Sequence, residues 1–110
     1  MKKLLGFLFA MIFSVSAFAS GSVQLNGKLI KNREELHTVI AKGLNFPSYY
    51  GKNLDALYDI LVSDFSGETI IKIKHLNFLR QRLGNTYTQA FLEVIGEASE
   101  TNPRVILVLE

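Results

Sequence analysis

The spacing of apolar residues changes several times along this chain, and each change marks an element. Val23 and Leu25 alternate with polar neighbours up to Asn26-Gly27, which reads as a short strand and a turn, with Ile30 just beyond. Over "REELHTVIAKG" the period becomes helical, with Leu36, Val39 and Ile40 at i, i+3 and i+4. Asn32 before it and Glu35 three residues on resemble a capping box, with Asn in place of Ser or Thr, and Gly43 reads as the stop. "LNFPSYYGK" is a connection punctuated by Pro47 and Gly51. Asn53 then caps "LDALYDILV", in which Leu54, Leu57 and Leu61 form the inner stripe. Asp55, Tyr58, Asp59 and Val62 lie toward another side. "SDFSGE" interrupts the pattern, and the alternating, β-branched "TIIKIK" reads as a strand. "HLNFLRQRL" predicts a short helix with Leu76, Leu79 and Leu83 inside, ended by Gly84-Asn85. "TYTQAFLEVIGEASE" predicts the longest helix, with Tyr87, Ala90, Phe91, Val94 and Ile95 inward. Asn102-Pro103 stops it, and "RVILVLE" is an almost continuous apolar strand.

The order β, α, α, β, α, α, β separates each strand from the next by helices, which favours parallel pairing through crossovers. The fold class is therefore α/β: a small three-stranded parallel sheet packed with about four helices. The last strand is apolar on both faces, which predicts a place in the middle of the sheet.

The first twenty residues follow another logic. "MKK" is a positive start, and residues 4–19 carry no charge and end in Ala17-Phe18-Ala19. That is the order of a secretory signal peptide cleaved after Ala19. The alternative, a membrane anchor, is short against the roughly 20 residues of a span and is broken by Gly6, Ser14 and Ser16. The expected organisation is a signal peptide at 1–19 and one small domain at 20–110. Without cysteine there is no lipoprotein anchor and no disulfide, so packing alone must hold the domain.

Removing the leader changes the charge reading. Of 12 Lys and Arg, Lys2 and Lys3 leave with it, and the ten that remain equal the ten Asp and Glu. The domain is neutral, so the basic pI of the whole chain is no sign of nucleic-acid binding. The charge is segregated, however. Residues 55–71 hold Asp55, Asp59, Asp64 and Glu68 with no base, and residues 93–110 hold four acids and one base. If these segments meet in space they make a negative face.

Catalytic signals are sparse. His37 sits within a helix and His75 at a strand-to-helix junction, places where a lone histidine is usually structural. No nucleophile elbow, P-loop or Rossmann glycine pattern is present. Asp55 and Asp59 lack a third metal ligand at a standard spacing, and a glycosidase-like carboxylate pair would need a sugar groove that 91 residues hardly provide. Lys72, Lys74, Arg80 and Arg82 make a basic run without interleaved aromatics, which reads as solvated surface. The expectation is a non-enzyme with no cofactor and no metal.

"FPSYYGKNLDALYDIL" carries the sharpest question. Asp55 and Asp59 are one turn apart, where like charges repel by about 0.2–0.5 kcal/mol. Asp55 regains about 0.3–1 kcal/mol from the helix dipole in the first turn. Tyr49, Tyr50 and Tyr58 surround the pair, and tyrosine is a frequent interface anchor. From the residues alone, a solvated face and an interface remain open.

"PSYYGKNLDALYDIL" closely resembles the signature of the barstar family of ribonuclease inhibitors, in the paired tyrosines, Gly51, Asn53, "LDAL" and Asp59. The element order agrees across the domain, and "VIGEASE" places Glu97 where the family has an acidic contact. The resemblance implies a protein that blocks the cationic active site of a bacterial ribonuclease with this helix and its preceding loop. Asp59 would be the central anion, in the place of a substrate phosphate, and Asp55 a second carboxylate facing arginine or lysine. Tyr49 would pack at the interface and Glu97 would add a charge contact. Gly51 and Asn53 belong to the same partner-binding set. Tyr58 stands where the best-known member has tryptophan. The partner implied is a ribonuclease with a basic cleft, bound by a monomer in a 1:1 complex, with no direct nucleic-acid contact and no membrane contact after signal cleavage.

The departures bear on specificity. "SDFSGE" lacks the family's tryptophan-containing segment, with Phe65 the residue available in its place. Lys52 puts a base beside the acidic patch, and the neutral domain predicts weaker long-range steering. The signal peptide implies an exported, periplasmic or secreted protein, and absence of cysteine suits an oxidising compartment. The alternative reading keeps the scaffold as a binding or immunity module for a non-ribonuclease partner in the cell envelope.

Overall fold

The computed structural model describes residues 21–63 and 67–110; the signal-peptide reading, Asp64 and Phe65 lie outside these. The elements are β1 (Gly21–Asn26), α1 (Arg33–Gly43), α2 (Leu54–Val62), β2 (Thr69–Lys74), α3 (Leu76–Leu83), α4 (Asn85–Thr101) and β3 (Val105–Leu109). The three strands form one parallel sheet in the order β1-β2-β3. The α/β architecture read from the order of elements is the one observed.

The position of the last strand is corrected. β2 is central, and β3 lies at an edge. Register explains why β3 is apolar on both sides nonetheless. Val23, Ile71 and Leu107 align on one face, together with Thr69 beside Val105. This face joins the buried residues of all four helices in one core. On the other face Ile70 aligns with Ile106, and Lys72 with Val108, and these four are half-buried. Ile106 thus has an apolar neighbour across the strand pair without lying mid-sheet.

The helix starts follow local chemistry. Asn32 Oδ1 accepts from the Glu35 amide at 2.8 Å, and Asn53 Oδ1 accepts from the Ala56 amide at 2.8 Å. The Glu35 carboxylate accepts from the Lys31 amide at 3.0 Å, one residue earlier than a standard box would have it. Gly43 does end α1, but for a tertiary reason. A Cβ there would fall 2.4 Å from Val23 Cγ2, so glycine lets the helix lie against β1. α3 and α4 are separated only by Gly84, whose φ of +91° turns the chain where other residues would be strained. Asn85, expected to be punctuation, is already the first residue of α4.

Burial departs from the expected stripes at a few positions. Leu54, Leu76, Tyr87, Ala90 and Val94 are not fully buried, while Thr88 and Ala98 lie fully inside α4's inner face. α2 packs on α4, and α4 also packs on β3 and α3. This α2–α4 contact positions the candidate site.

Candidate functional site

Two helices and one loop build the site. Helical spacing sends Leu57 and Leu61 into the core, which leaves Asp55 and Asp59 exposed on the other side of α2. α4 buries Phe91, Ile95 and Ala98, which turns Val94 and Glu97 toward α2. Between them runs a shallow groove of about 300 Å³, lined by Leu54, Asp55, Tyr58, Asp59, Val94 and Glu97. Acidic residues nearly forty positions apart in sequence therefore meet around one depression. Among the described residues, none of the three carboxylates is in an ion pair.

Hydrogen bonds fix the groove's lower end. Tyr58 Oη and Thr101 Oγ1 are 3.3 Å apart, linking α2 to the end of α4. Asn102 Nδ2 donates to the Leu61 carbonyl at 3.0 Å, and Ser63 Oγ donates to the Asp59 carbonyl at 2.6 Å. The first two bonds tie α2 to the α4 C-terminus, and the third closes the last turn of α2.

The loop before α2 completes the surface. Tyr49 is 80% exposed, a large ring held in solvent. Asn53 Nδ2 donates to the Gly51 carbonyl at 3.3 Å while its Oδ1 caps α2, so one side chain closes the turn. Lys52 between them has φ +54°, a left-handed conformation that costs a residue with a Cβ about 1 kcal/mol or more. Gly51 and Asn53 shape the backbone here. Asp55, Tyr58, Asp59 and Glu97 share the groove, whereas Tyr49 lies on the adjoining loop and does not line it.

Tyr50 does not join Tyr49 at the surface. It is 8% exposed, and its ring meets Phe46 edge-on at 5.0 Å. Its hydroxyl bonds Nδ1 of His37 at 2.5 Å, and Nε2 of the same imidazole bonds the Tyr87 hydroxyl at 2.7 Å. His37 is 1% exposed. A neutral imidazole satisfies both tyrosines, donating from one nitrogen and accepting at the other. Burial pushes the His37 pKa below its usual value, and the Lys52 ammonium adds to this. Burial pushes both tyrosine pKa values up; for Tyr87 the Arg33 guanidinium, 4.3 Å over its ring, works the other way. This bridge joins α1, the loop and α4, and it is the main feature that sequence reasoning missed. A signal was present: His37 follows Leu36 and precedes Ile40 by three, within the stripe that faces the core.

The second histidine, His75, opens α3 in a left-handed conformation beside Phe78 and takes no part in the groove. Among the described residues no group of three or more His, Asp or Glu is arranged to hold a metal ion. Chemically, the groove offers anions and an apolar floor of Leu54 and Val94, which suits a cationic partner.

The chain is 40% identical over 76 residues to a Bacillus subtilis (strain 168) protein described as "Putative ribonuclease inhibitor YrdF", covering 69% of this chain and 82% of that protein. The sequence profile of "Barstar (barnase inhibitor)" matches residues 21–109, nearly all of the described structure, and the chain thus belongs to the barstar family.

Proposed function

We propose that this chain inhibits a ribonuclease by seating α2 and its preceding loop in the enzyme's cationic active-site cleft. The observation that carries this reading is the convergence of Asp55, Asp59 and Glu97, from two helices, around one groove with Tyr58. Family membership and the similarity to a protein described as a ribonuclease inhibitor support it. Asp59 is the central anion, with Asp55 and Glu97 flanking it and Tyr49 packing from the loop. A cationic cleft relieves the repulsion between Asp55 and Asp59, so the pair that strains the free helix favours the complex. The inhibitor performs no chemistry; it excludes RNA by occupancy. The barnase–barstar pair is itself the standard case of electrostatically steered association. With equal numbers of acids and bases in residues 20–110, this domain relies on the local field of its groove rather than on net charge. We further propose export: residues 1–19 direct the chain out of the cytoplasm, to the periplasm or beyond.

The test is a titration of residues 20–110 against barnase and against the secreted ribonucleases of the organism that encodes the chain. Stoichiometric loss of RNA cleavage is expected. Asp59→Ala should weaken inhibition by about 2–5 kcal/mol, the cost of removing one partner from a buried charge pair. Unchanged inhibition by Asp59→Ala would remove Asp59 from the site. Failure of the folded parent to inhibit any ribonuclease would turn the search to a non-ribonuclease partner with a basic cleft.

A further inference from the structure

Lys52 is poorly explained by the fold. It takes a left-handed backbone conformation, which side-chain-bearing residues avoid. It stands immediately before the N-cap of α2, where the helix dipole disfavours a positive charge. It is exposed, and among the described residues it has no ion-pair partner. Glycine or asparagine would suit the left-handed backbone better, and an acid would suit the start of the helix better. Two independent costs, the left-handed backbone and the place before the helix N-cap, with no ion pair among the described residues to offset them, point to selection at the surface Lys52 faces.

The backbone around it is well held. Tyr50 on one side is anchored through His37, and Asn53 on the other closes on the Gly51 carbonyl while capping the helix. The Lys52 backbone is thus clamped between the loop that carries the exposed Tyr49 ring and the helix that carries the acidic groove. An ammonium carried from that backbone meets any partner that docks on α2.

Building on the proposed inhibitory site, we infer that Lys52 is a specificity-determining residue. It selects a ribonuclease whose cleft is cationic at the centre, opposite Asp59, but carries an acidic residue on the rim opposite the loop. It penalises enzymes whose rim is basic throughout. Discrimination of this kind uses a repulsive element as well as an attractive one. The neutral charge of the domain fits the same logic, since a partner of mixed charge needs less global attraction.

The experiment compares the parent, Lys52→Gln and Lys52→Glu, in the form of residues 20–110, against barnase and the secreted ribonucleases of the encoding organism. Inhibition constants are taken at low and high salt, with thermal melting of each variant as the control for folding. Lys52→Glu should weaken inhibition of at least one enzyme by about tenfold at low salt, a two-unit charge change at a rim position. Lys52→Gln should weaken it by about threefold. Both effects should shrink at about 0.5 M salt, where the Debye length falls to a few ångströms. Neither variant should melt below the parent. If every inhibited enzyme binds the Glu variant at least as tightly as the parent, the selective role is overturned. The inhibitory reading would then survive as long as Asp59→Ala still weakens binding. If the parent inhibits no ribonuclease, both fall together.

Discussion

Replacing His37 by alanine should be among the most damaging single changes in this protein. The imidazole is buried and satisfies two tyrosine hydroxyls at 2.5 and 2.7 Å. Truncation leaves the Tyr50 hydroxyl in the core without its partner, a cost of about 1–3 kcal/mol. It also opens a cavity the size of the ring; comparable buried truncations cost about 2–5 kcal/mol, depending on how far the site collapses. Tyr87 is only half-buried, so water can replace its lost bond. The combined loss should be about 3–8 kcal/mol, against a total stability of about 5–15 kcal/mol for a domain of this kind. Urea unfolding followed by circular dichroism measures it directly, provided the slope of the transition stays constant. Tyr50→Phe should cost less, about 1–3 kcal/mol, and the double variant should cost less than the sum of the two singles, because both remove the same bond. A His37→Ala protein within about 1 kcal/mol of the parent would refute the bridge as a support of the fold.

Other outcomes follow from the same structure. The depressed pKa of His37 means that the unfolded chain takes up a proton near pH 6.5, while the folded chain resists it to lower pH. The stability contributed by neutral His37 is therefore complete above pH 6.5 and declines as the pH falls from there toward the folded pKa. His37→Gln should flatten that decline in urea midpoints measured between about pH 7 and pH 5, and an unchanged slope would contradict it. The export reading predicts that the chain recovered from the cell envelope or medium begins at Ser20, which intact-mass measurement decides; a full-length mass would favour retention of residues 1–19.

Much of the site was legible because local rules govern it. Asp55 and Asp59 share a helix face by spacing alone, and Asn53 announces the helix start by its type. The twin tyrosines illustrate the limit. Adjacent in sequence and identical in chemistry, they part company, Tyr49 into solvent and Tyr50 into the core. What separates them is His37, thirteen residues earlier on another helix. No local pattern reports that contact. Glu97 is a similar case. Its identity as an acid was plain, but its place beside Asp55 and Asp59 depends on how α4 lies against α2.

The sequence alone specified the elements, their order and most of their caps, because apolar period, turn residues and capping side chains act over a few positions. It also determined which helix carries the paired acids. Strand order was decided only by the tertiary structure. The apolar run of β3 looked like a central strand, yet alternating β2 takes the middle and β3 finds Ile70 as its outer-face neighbour. Apolarity along a strand does not record which strands stand on either side, and in β3 only Val105 is fully buried. The groove, the buried histidine bridge and the left-handed Lys52 likewise arise from contacts and backbone angles set by the packing of the whole domain.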